Sequence, residues 1–372
     1  VLSWPVLVPR DRIDSEVSVF VRAEDSVLFI RTWGAHWLIG TTDTPWEQGL
    51  DHPAASASDI EYPLRNVNRV LNVELGVADI DGVYAGLRPL IKGKEGATSD
   101  LSREHAVETT VPGFTTIAGG KYTTYRVMAE DAVNAAIADL QSRGLIDTVA
   151  KSDTENIPLI GATDLAEAQT RLQANAKSFG VSSEGVDHLL KRYGSMVGEL
   201  ISIVKYRPEL AAPIAGEVAG GLGYLRVEAL YAVTHEGALH IDDILTRRTH
   251  LSIETPDQGL VGAEEVAQIM GAELGWDEQR IQLELTHYQD RVAAEREAHT
   301  AVDDSGATLA RNRGPDIRLT RAVPYTHPNL SMSFIGLCSR RWLSLITDSC
   351  HTSHHHHLIL TNHLHVLIMP TS

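Results

Sequence analysis

The sequence predicts an α+β fold, with an antiparallel sheet near the N-terminus and an all-α segment after it. Three observations predict this. Short apolar stretches joined by turn residues fill the first 50 residues. Strand-like and helix-like segments then alternate as far as residue 140. From about residue 150 the apolar residues recur at helical spacing.

The elements follow in order. Val17, Val19 and Val21 alternate with Ser18, Phe20 and Arg22, which suits a half-buried strand. Ala23-Glu24-Asp25-Ser26 is a turn, 27–30 a second strand and 37–39 a third, so an antiparallel meander is expected. Ser58 and Glu61 have capping-box spacing ahead of a helix whose apolar face is Ile60, Leu64, Val67 and Leu71, with Pro63 weakening its start. Strands are expected at 83–90 and 114–118. Gly119-Gly120 ends the latter, and Lys121-Tyr122-Thr123-Thr124 opens a long helix through Leu140.

Beyond residue 150 the pattern is helical. Asp164 and Glu167 cap a helix with Leu165, Ala168, Leu172 and Phe179 on its apolar side. Val186, Leu189, Leu190, Tyr193, Val197, Leu200, Ile201 and Val204 form a long stripe interrupted at Gly194. Asp277 is an N-cap, and Trp276 with Ile281 has hydrophobic-staple spacing. No catalytic constellation stands out in this helical part.

Composition narrows the function. The chain has 372 residues, 43% hydrophobic and 22% charged, which fits a folded protein rather than a wholly disordered one. Thirty-two Lys and Arg face 49 Asp and Glu, a net charge of −17, the wrong balance for a general nucleic-acid binder. No apolar run approaches the ~18 residues of a membrane-spanning helix. Two cysteines, Cys338 and Cys350, exclude a disulfide framework and a Cys-rich metal or iron–sulfur site. The opening Val1-Leu2-Ser3-Trp4-Pro5 lacks Met and an export signal, so a chain of a reducing compartment that begins in mid-fold is expected.

Residues 311–372 differ from the rest. They hold six Arg, no Lys, only Asp316 and Asp348, both cysteines and eight of the 17 His, including His354-His355-His356-His357. A His-rich metal-binding tail is one reading. An atypical, disordered stretch never selected to fold is the favoured one, because a metal site needs arranged and supported ligands rather than a run of His. No metal is therefore expected.

The chemistry is expected within 81–130. Two glycines between a strand and a helix let backbone approach a ligand, and the helix start offers N–H groups and the positive end of the macrodipole. Such a place stabilises an anion or a reduced, negatively charged ring. Lys121 adds a formal charge there, and Thr123 and Thr124 are able to cap the helix or bond a ligand carbonyl. Arg88 precedes Pro89, which disfavours a helical conformation and suits an extended, bidentate phosphate ligand. An ordinary strand–helix turn and a surface ion pair are the plain alternatives for each feature alone. Two Arg and one Lys on consecutive elements of an acidic protein favour a site for an anionic substrate.

These motifs resemble the FAD-dependent glycerol-3-phosphate dehydrogenases that pass electrons to quinone, with an actinobacterial flavour. The matching stretches are Ile39-Gly40-Thr41-Thr42-Asp43-Thr44, Tyr84-Ala85-Gly86-Leu87-Arg88-Pro89-Leu90, Ser102-Arg103-Glu104-His105 and Gly119-Gly120-Lys121-Tyr122-Thr123-Thr124-Tyr125-Arg126. Met128-Ala129-Glu130-Asp131-Ala132 continues the last of these. Val227-Glu228-Ala229-Leu230-Tyr231-Ala232 and Glu236-Gly237-Ala238-Leu239-His240-Ile241-Asp242-Asp243-Ile244-Leu245-Thr246-Arg247-Arg248 are similar to the family's C-terminal domain. The resemblance runs from about residue 6 to about residue 300.

The resemblance implies an antiparallel substrate-binding sheet with the C-terminal remnant of an FAD-binding α/β domain over 1–150, and a helical C-terminal domain over 151–305. It implies that Arg88 and Arg103 bind the substrate phosphate. Lys121 would lie beside flavin and substrate, so that Arg88, Arg103 and Lys121 form the catalytic set. Thr42 and Asp43 would lie near the substrate, and Gly86, Gly119, Gly120, Lys121, Thr123 and Thr124 near the FAD. The implied reaction oxidises sn-glycerol 3-phosphate to dihydroxyacetone phosphate in glycerol catabolism. Nothing in these motifs separates quinone from oxygen as acceptor, so an oxidase is an alternative.

Two departures stand out. The family's His, in a Gly-x-His-Ile-type segment, corresponds here to Pro5, which leaves the general base unassigned; His36 and His105 do not match the motif, and His105 reads as a structural residue of a strand. No Gly-x-Gly-x-x-Gly occurs in these 372 residues, so the family's N-terminal dinucleotide-binding unit is expected to be missing, and the chain to match the C-terminal two-thirds of such an enzyme. A non-catalytic remnant or association module without FAD is the alternative of another class. Family resemblance also implies the inner face of the cytoplasmic membrane and leaves a homodimer open. The sequence shows no basic amphipathic helix for membrane binding, and its charge opposes anionic lipid.

Overall fold

A computed structural model describes residues 2–24, 26–42, 44–88, 91, 104–175, 180–215, 223–314, 317 and 365–368. These residues form a mixed α+β structure of two compact bodies, one of 2–86 and 159–325, the other of 87–158 and 326–372. The first body unites the meander with the helical segment that the sequence divides at residue 150.

The first body opens with β1 (Leu2–Ser3), β2 (Val6–Pro9), β3 (Val19–Arg22), β4 (Val27–Trp33) and β5 (His36–Gly40). Strands β2 to β5 with β6 (Gly82–Val83) give a five-stranded antiparallel sheet in the order β3-β4-β5-β2-β6. Val19 faces Ile30, and Phe29 faces Gly40. The meander is as expected, and alternation sets its faces: Leu28 and Ile30 are buried, whereas Val27 and Phe29 are exposed. Val21 is buried too, but Val17 lies outside the strand and Val19 is partly exposed, because β3 is the sheet edge.

Helix α1 (Ala57–Val67) is capped two residues earlier than expected. The Ser56 N–H donates to Asp59 Oδ2 at 2.8 Å, and Ser56 Oγ accepts from the Asp59 N–H at 3.4 Å. The capping box is thus Ser56 with Asp59, not Ser58 with Glu61, since the buried Asp59 lies closer to the start. Pro63 consequently falls in the second turn, and Leu71 lies beyond the helix end. The single strand expected at 83–90 is two short strands, β6 and β7 (Gly86–Leu87), with Tyr84 and Ala85 between them. Pro89 and Leu90 fall outside the described residues.

The second body carries the hairpin β8 (His105–Val111) and β9 (Phe114–Gly119), in which His105 faces Gly119. A 3₁₀ turn at Tyr122–Thr124 leads into α2 (Tyr125–Ser142), which buries Ala132, Ala136 and Leu140 against β8 and β9.

The helical part of the first body comprises α3 (Leu165–Asn175), α4 (Ser183–Tyr193), α5 (Val197–Tyr206), α6 (Arg226–His235), a π turn at Asp243–Arg248, α7 (Leu251–Glu254), α8 (Leu260–Leu274), α9 (Glu278–Thr300) and α10 (Asp304–Arg311). The long apolar stripe is buried at Val186, Leu189, Val197, Leu200, Ile201 and Val204, and a 3₁₀ turn beginning at Gly194 breaks it. Asp277 accepts from the Arg280 N–H at 2.8 Å, and Trp276 and Ile281 pack in one core cluster, as the staple requires. Phe179 falls outside the described residues. In the second body β10 (His365–Ile368) pairs in parallel with β9; the rest of the tail from 318 on, with His354–His357, lies outside the description.

Sheet and helices of the first body are locked at one seam. The buried Glu254 accepts from the Trp33 indole N–H of β4 at 3.1 Å and from the Tyr224 hydroxyl at 3.0 Å. At the same seam Gly82 meets α7 so closely that a Cβ would stand 2.1 Å from the Ile253 carbonyl oxygen. Gly82→Ala is therefore expected to cost about 2–3 kcal/mol, read from urea unfolding, since the backbone has to move apart. An unchanged unfolding midpoint would show that the seam yields freely.

Candidate functional site

The β9–α2 junction gathers five of the expected residues. Gly119 and Gly120 both have left-handed backbones, with φ of +74° and +82°. A Cβ at Gly119 would stand 2.6 Å from the Glu104 carbonyl oxygen, and one at Gly120 would stand 2.5 Å from Met128 Sδ. The Gly120 N–H donates to that same Glu104 carbonyl at 3.2 Å. These two glycines are thus required by the turn and by contact with their own chain.

The next residues do face outward. Lys121 is extended and exposed, with no ion pair among the described residues. The Thr124 N–H and hydroxyl both donate to the Lys121 carbonyl, each at 3.0 Å. Thr124 therefore folds the 3₁₀ turn rather than capping α2 through its side chain. The N–H groups of Tyr122 and Thr123 precede the first hydrogen bond of this turn, so the donors expected at a helix start belong to these two residues and to the ammonium of Lys121.

Arg88 belongs to the same body as Lys121 and directly follows β7, half-buried. Two residues before it, Gly86 contrasts with Gly119 and Gly120, because a Cβ there would meet nothing within 4 Å among the described residues. Thr42, in the first body, is buried, and its hydroxyl has no hydrogen-bond partner among the described residues. Arg103 and Asp43 lie outside the described residues.

Both alternative histidines are occupied. His36 is completely buried, with Nε2 3.0 Å from Asp81 Oδ2. His105 opens β8 as expected, with Nε2 2.7 Å from Asp131 Oδ2. Pro5, expected at the family's His position, is buried between β1 and β2.

Comparison with known proteins decides the kinship. Residues 152–281 match the family model of the C-terminal domain of alpha-glycerophosphate oxidase. A glycerol-3-phosphate dehydrogenase of Mycobacterium leprae is 48% identical over 313 residues, which is 84% of this chain. The chain is similar to glycerol-3-phosphate dehydrogenases over most of its length. It spans about half the length of the curated relatives it matches, 52% of the Mycobacterium leprae protein. Glycerol-3-phosphate dehydrogenase 2 of Mycobacterium tuberculosis is 46% identical over 313 residues, again 84% of this chain and 52% of the relative. In fold, the chain is similar to the crystal structure of a glycerol-3-phosphate dehydrogenase from Bacillus halodurans complexed with FAD. That likeness has a TM-score of 0.63 at 24% identity, and covers 82% of this chain and 57% of the other.

Within this family framework, sequence reasoning missed Glu104 as the carbonyl that fixes Gly120 and Met128 as the side chain beneath it; only their spacing from the glycines signalled them. It also found no chemistry in the helical segment. There, His240, Asp242 and Arg247 of the family-like stretch line a cavity together with Tyr84. Among the described residues no helix is long and apolar enough to cross a membrane.

Proposed function

We propose that this chain carries the substrate-phosphate ligands and the flavin-facing junction of an FAD-dependent glycerol-3-phosphate dehydrogenase. The observation that carries the reading is the 46–48% identity to mycobacterial glycerol-3-phosphate dehydrogenases over 84% of the chain. On this reading 1–150 is the substrate-binding sheet with part of the FAD-binding domain, 151–305 is the helical C-terminal domain, and 311–372 is an unrelated tail.

Each body taken by itself offers features that suit the cofactor or its substrate: in the first, open space over Gly86 and a buried Thr42 hydroxyl without a partner among the described residues; in the second, outward donors at Lys121 to Thr123. When bound, FAD supplies the hydride acceptor for oxidation of sn-glycerol 3-phosphate to dihydroxyacetone phosphate, with quinone as the final acceptor. Arg88 and Arg103 hold the phosphate through charge-assisted bonds, which fixes the carbon skeleton. Lys121 and the N–H groups of Tyr122 and Thr123 offset negative charge at the flavin. Gly86 keeps the approach clear, while Gly119, Gly120 and Thr124 set the direction of the junction. Thr42 and Asp43 complete the substrate side.

The test compares ligands that differ only in the phosphate. By titration calorimetry the protein is expected to bind sn-glycerol 3-phosphate at least about 100-fold more tightly than glycerol, the worth of two charge-assisted contacts. Equal affinity for the two would remove the phosphate ligands from the account.

A further inference from the structure

Inside the first body, away from the Arg88 and Lys121 junction in sequence, a cavity of about 260 Å³ opens between the loop at 51–53, Tyr84, the π turn and α9. Helices with π-type bonding are rare and recur at functional sites. The lining mixes acids and bases, so the question is which of them retain unused bonding capacity.

The carboxylates of the wall are engaged. Asp242 accepts from the Thr246 hydroxyl at 3.0 Å and pairs with Arg291 at 3.0 Å and with Arg247. Burial resists its ionisation, but Arg291 and Arg247 outweigh burial and hold the carboxyl below the usual range. Asp243 accepts from the N–H groups of Leu239 and His240 at 2.9 and 3.1 Å, and pairs with Arg247 at 3.2 Å. Glu284 accepts from His240 Nδ1 at 2.9 Å and pairs with Arg280, while Glu295 pairs with Arg291 at 3.2 Å.

The donors are not used up. His240 meets Glu284 through Nδ1, which leaves Nε2, a donor when the ring is protonated. His287 has a buried Nδ1 without a hydrogen-bond partner among the described residues, a donor in the tautomer that carries its proton there. Arg247 reaches both aspartates through one nitrogen, Nη1, which leaves Nη2 and Nε. Tyr84 keeps its proton, since burial raises its pKa against the opposing pull of Arg31. A molecule entering the cavity therefore meets spare donors and spent acceptors. The exception is Asp51, an exposed carboxylate of the lining with no partner among the described residues.

We propose that this cavity is a second binding site, for a small oxyanion such as the phosphate or carboxylate group of a metabolite, held by Arg247, His240 and His287 and opposed at its rim by Asp51. Its lining belongs to the first body, whereas Arg88 belongs to the second. An oxyanion satisfies the donors that the wall leaves unpaired, and its affinity is limited by Asp51 at the rim and by the paired carboxylates of the wall.

The test is a phosphorus NMR titration of the full chain with inorganic phosphate, in a protein carrying Arg88→Leu, Arg103→Leu and Lys121→Met so that the first site is disabled. Saturable binding is expected to persist. Adding Arg247→Gln is expected to weaken it about tenfold, and adding His287→Leu, which touches no ion pair, to weaken it severalfold. Asp51→Asn is expected to tighten it severalfold, because it removes a repelling charge. Circular dichroism confirms that each variant is folded. Loss of all saturable binding in the Arg88→Leu, Arg103→Leu and Lys121→Met protein overturns the proposal. So does binding indifferent to both Arg247→Gln and His287→Leu, or weakened by Asp51→Asn. Because the probe is inorganic phosphate in a protein without Arg88, this outcome is independent of whether the Arg88 site works.

Discussion

Glu254→Leu is expected to destabilise the first body by roughly 3 kcal/mol, because it strips two buried donors of their acceptor at once. Trp33 and Tyr224 reach Glu254 from separate elements, at 3.1 and 3.0 Å, and Glu254 itself is 1% exposed. Neither donor has a second acceptor among the described residues. Glu254→Gln is expected to be far milder, since the amide oxygen accepts from Trp33 and the tyrosine hydroxyl then accepts from the amide. The same pair of variants reads the charge. Burial holds the Glu254 carboxyl above its usual range, against the lowering influence of Trp33, Tyr224, His36 and Arg192. A carboxyl whose pKa is raised on folding favours the protonated folded state. Its contribution is complete below the unfolded value of about 4.3 and is lost as pH rises through the higher folded value. Urea unfolding across that window should show a fall in stability with rising pH that is shallower in Glu254→Gln than in the parent. A steeper fall in the variant would contradict the assignment.

Arg88→Leu is expected to weaken binding of sn-glycerol 3-phosphate by about 10–100-fold, the worth of one charge-assisted contact, and to leave glycerol affinity unchanged. Selective loss is the point, because a phosphate ligand acts on one end of the substrate. Arg88→Lys should recover part of the loss, since an ammonium keeps the charge but not the paired geometry of a guanidinium. Titration calorimetry of the three proteins checks this. Equal weakening for glycerol and its phosphate would mean that Arg88 supports the fold of the site rather than the phosphate.

Much of the fold was legible because local chemistry and tertiary context agree. Alternation at Leu28 and Ile30, the Asp277 cap and the stripe from Val186 to Val204 each report a buried face directly. Legibility failed where two local solutions compete. Ser56 and Ser58 both offer a cap for α1, and only the buried Asp59, tied to the Ser56 N–H, decides between them. The short strands on either side of Tyr84 and Ala85 were hidden because an extended run does not show where its pairing partner ends. At the site, the motif located the junction, but not why it holds glycine. The reason lies in Glu104 and Met128, whose proximity arises only when β8, β9 and α2 come together. The Glu254 lock and the cavity at Arg247 were invisible for the same reason: their members lie far apart in sequence, from Trp33 to Glu254 and from Asp51 to Arg291.

The visible spectrum of the purified, desalted protein, before and after anaerobic addition of sn-glycerol 3-phosphate, tests the central claim most directly. A flavin band that survives desalting and bleaches on addition of the substrate is the predicted result. A colourless protein, or a flavin band that the substrate leaves unmoved, would contradict it.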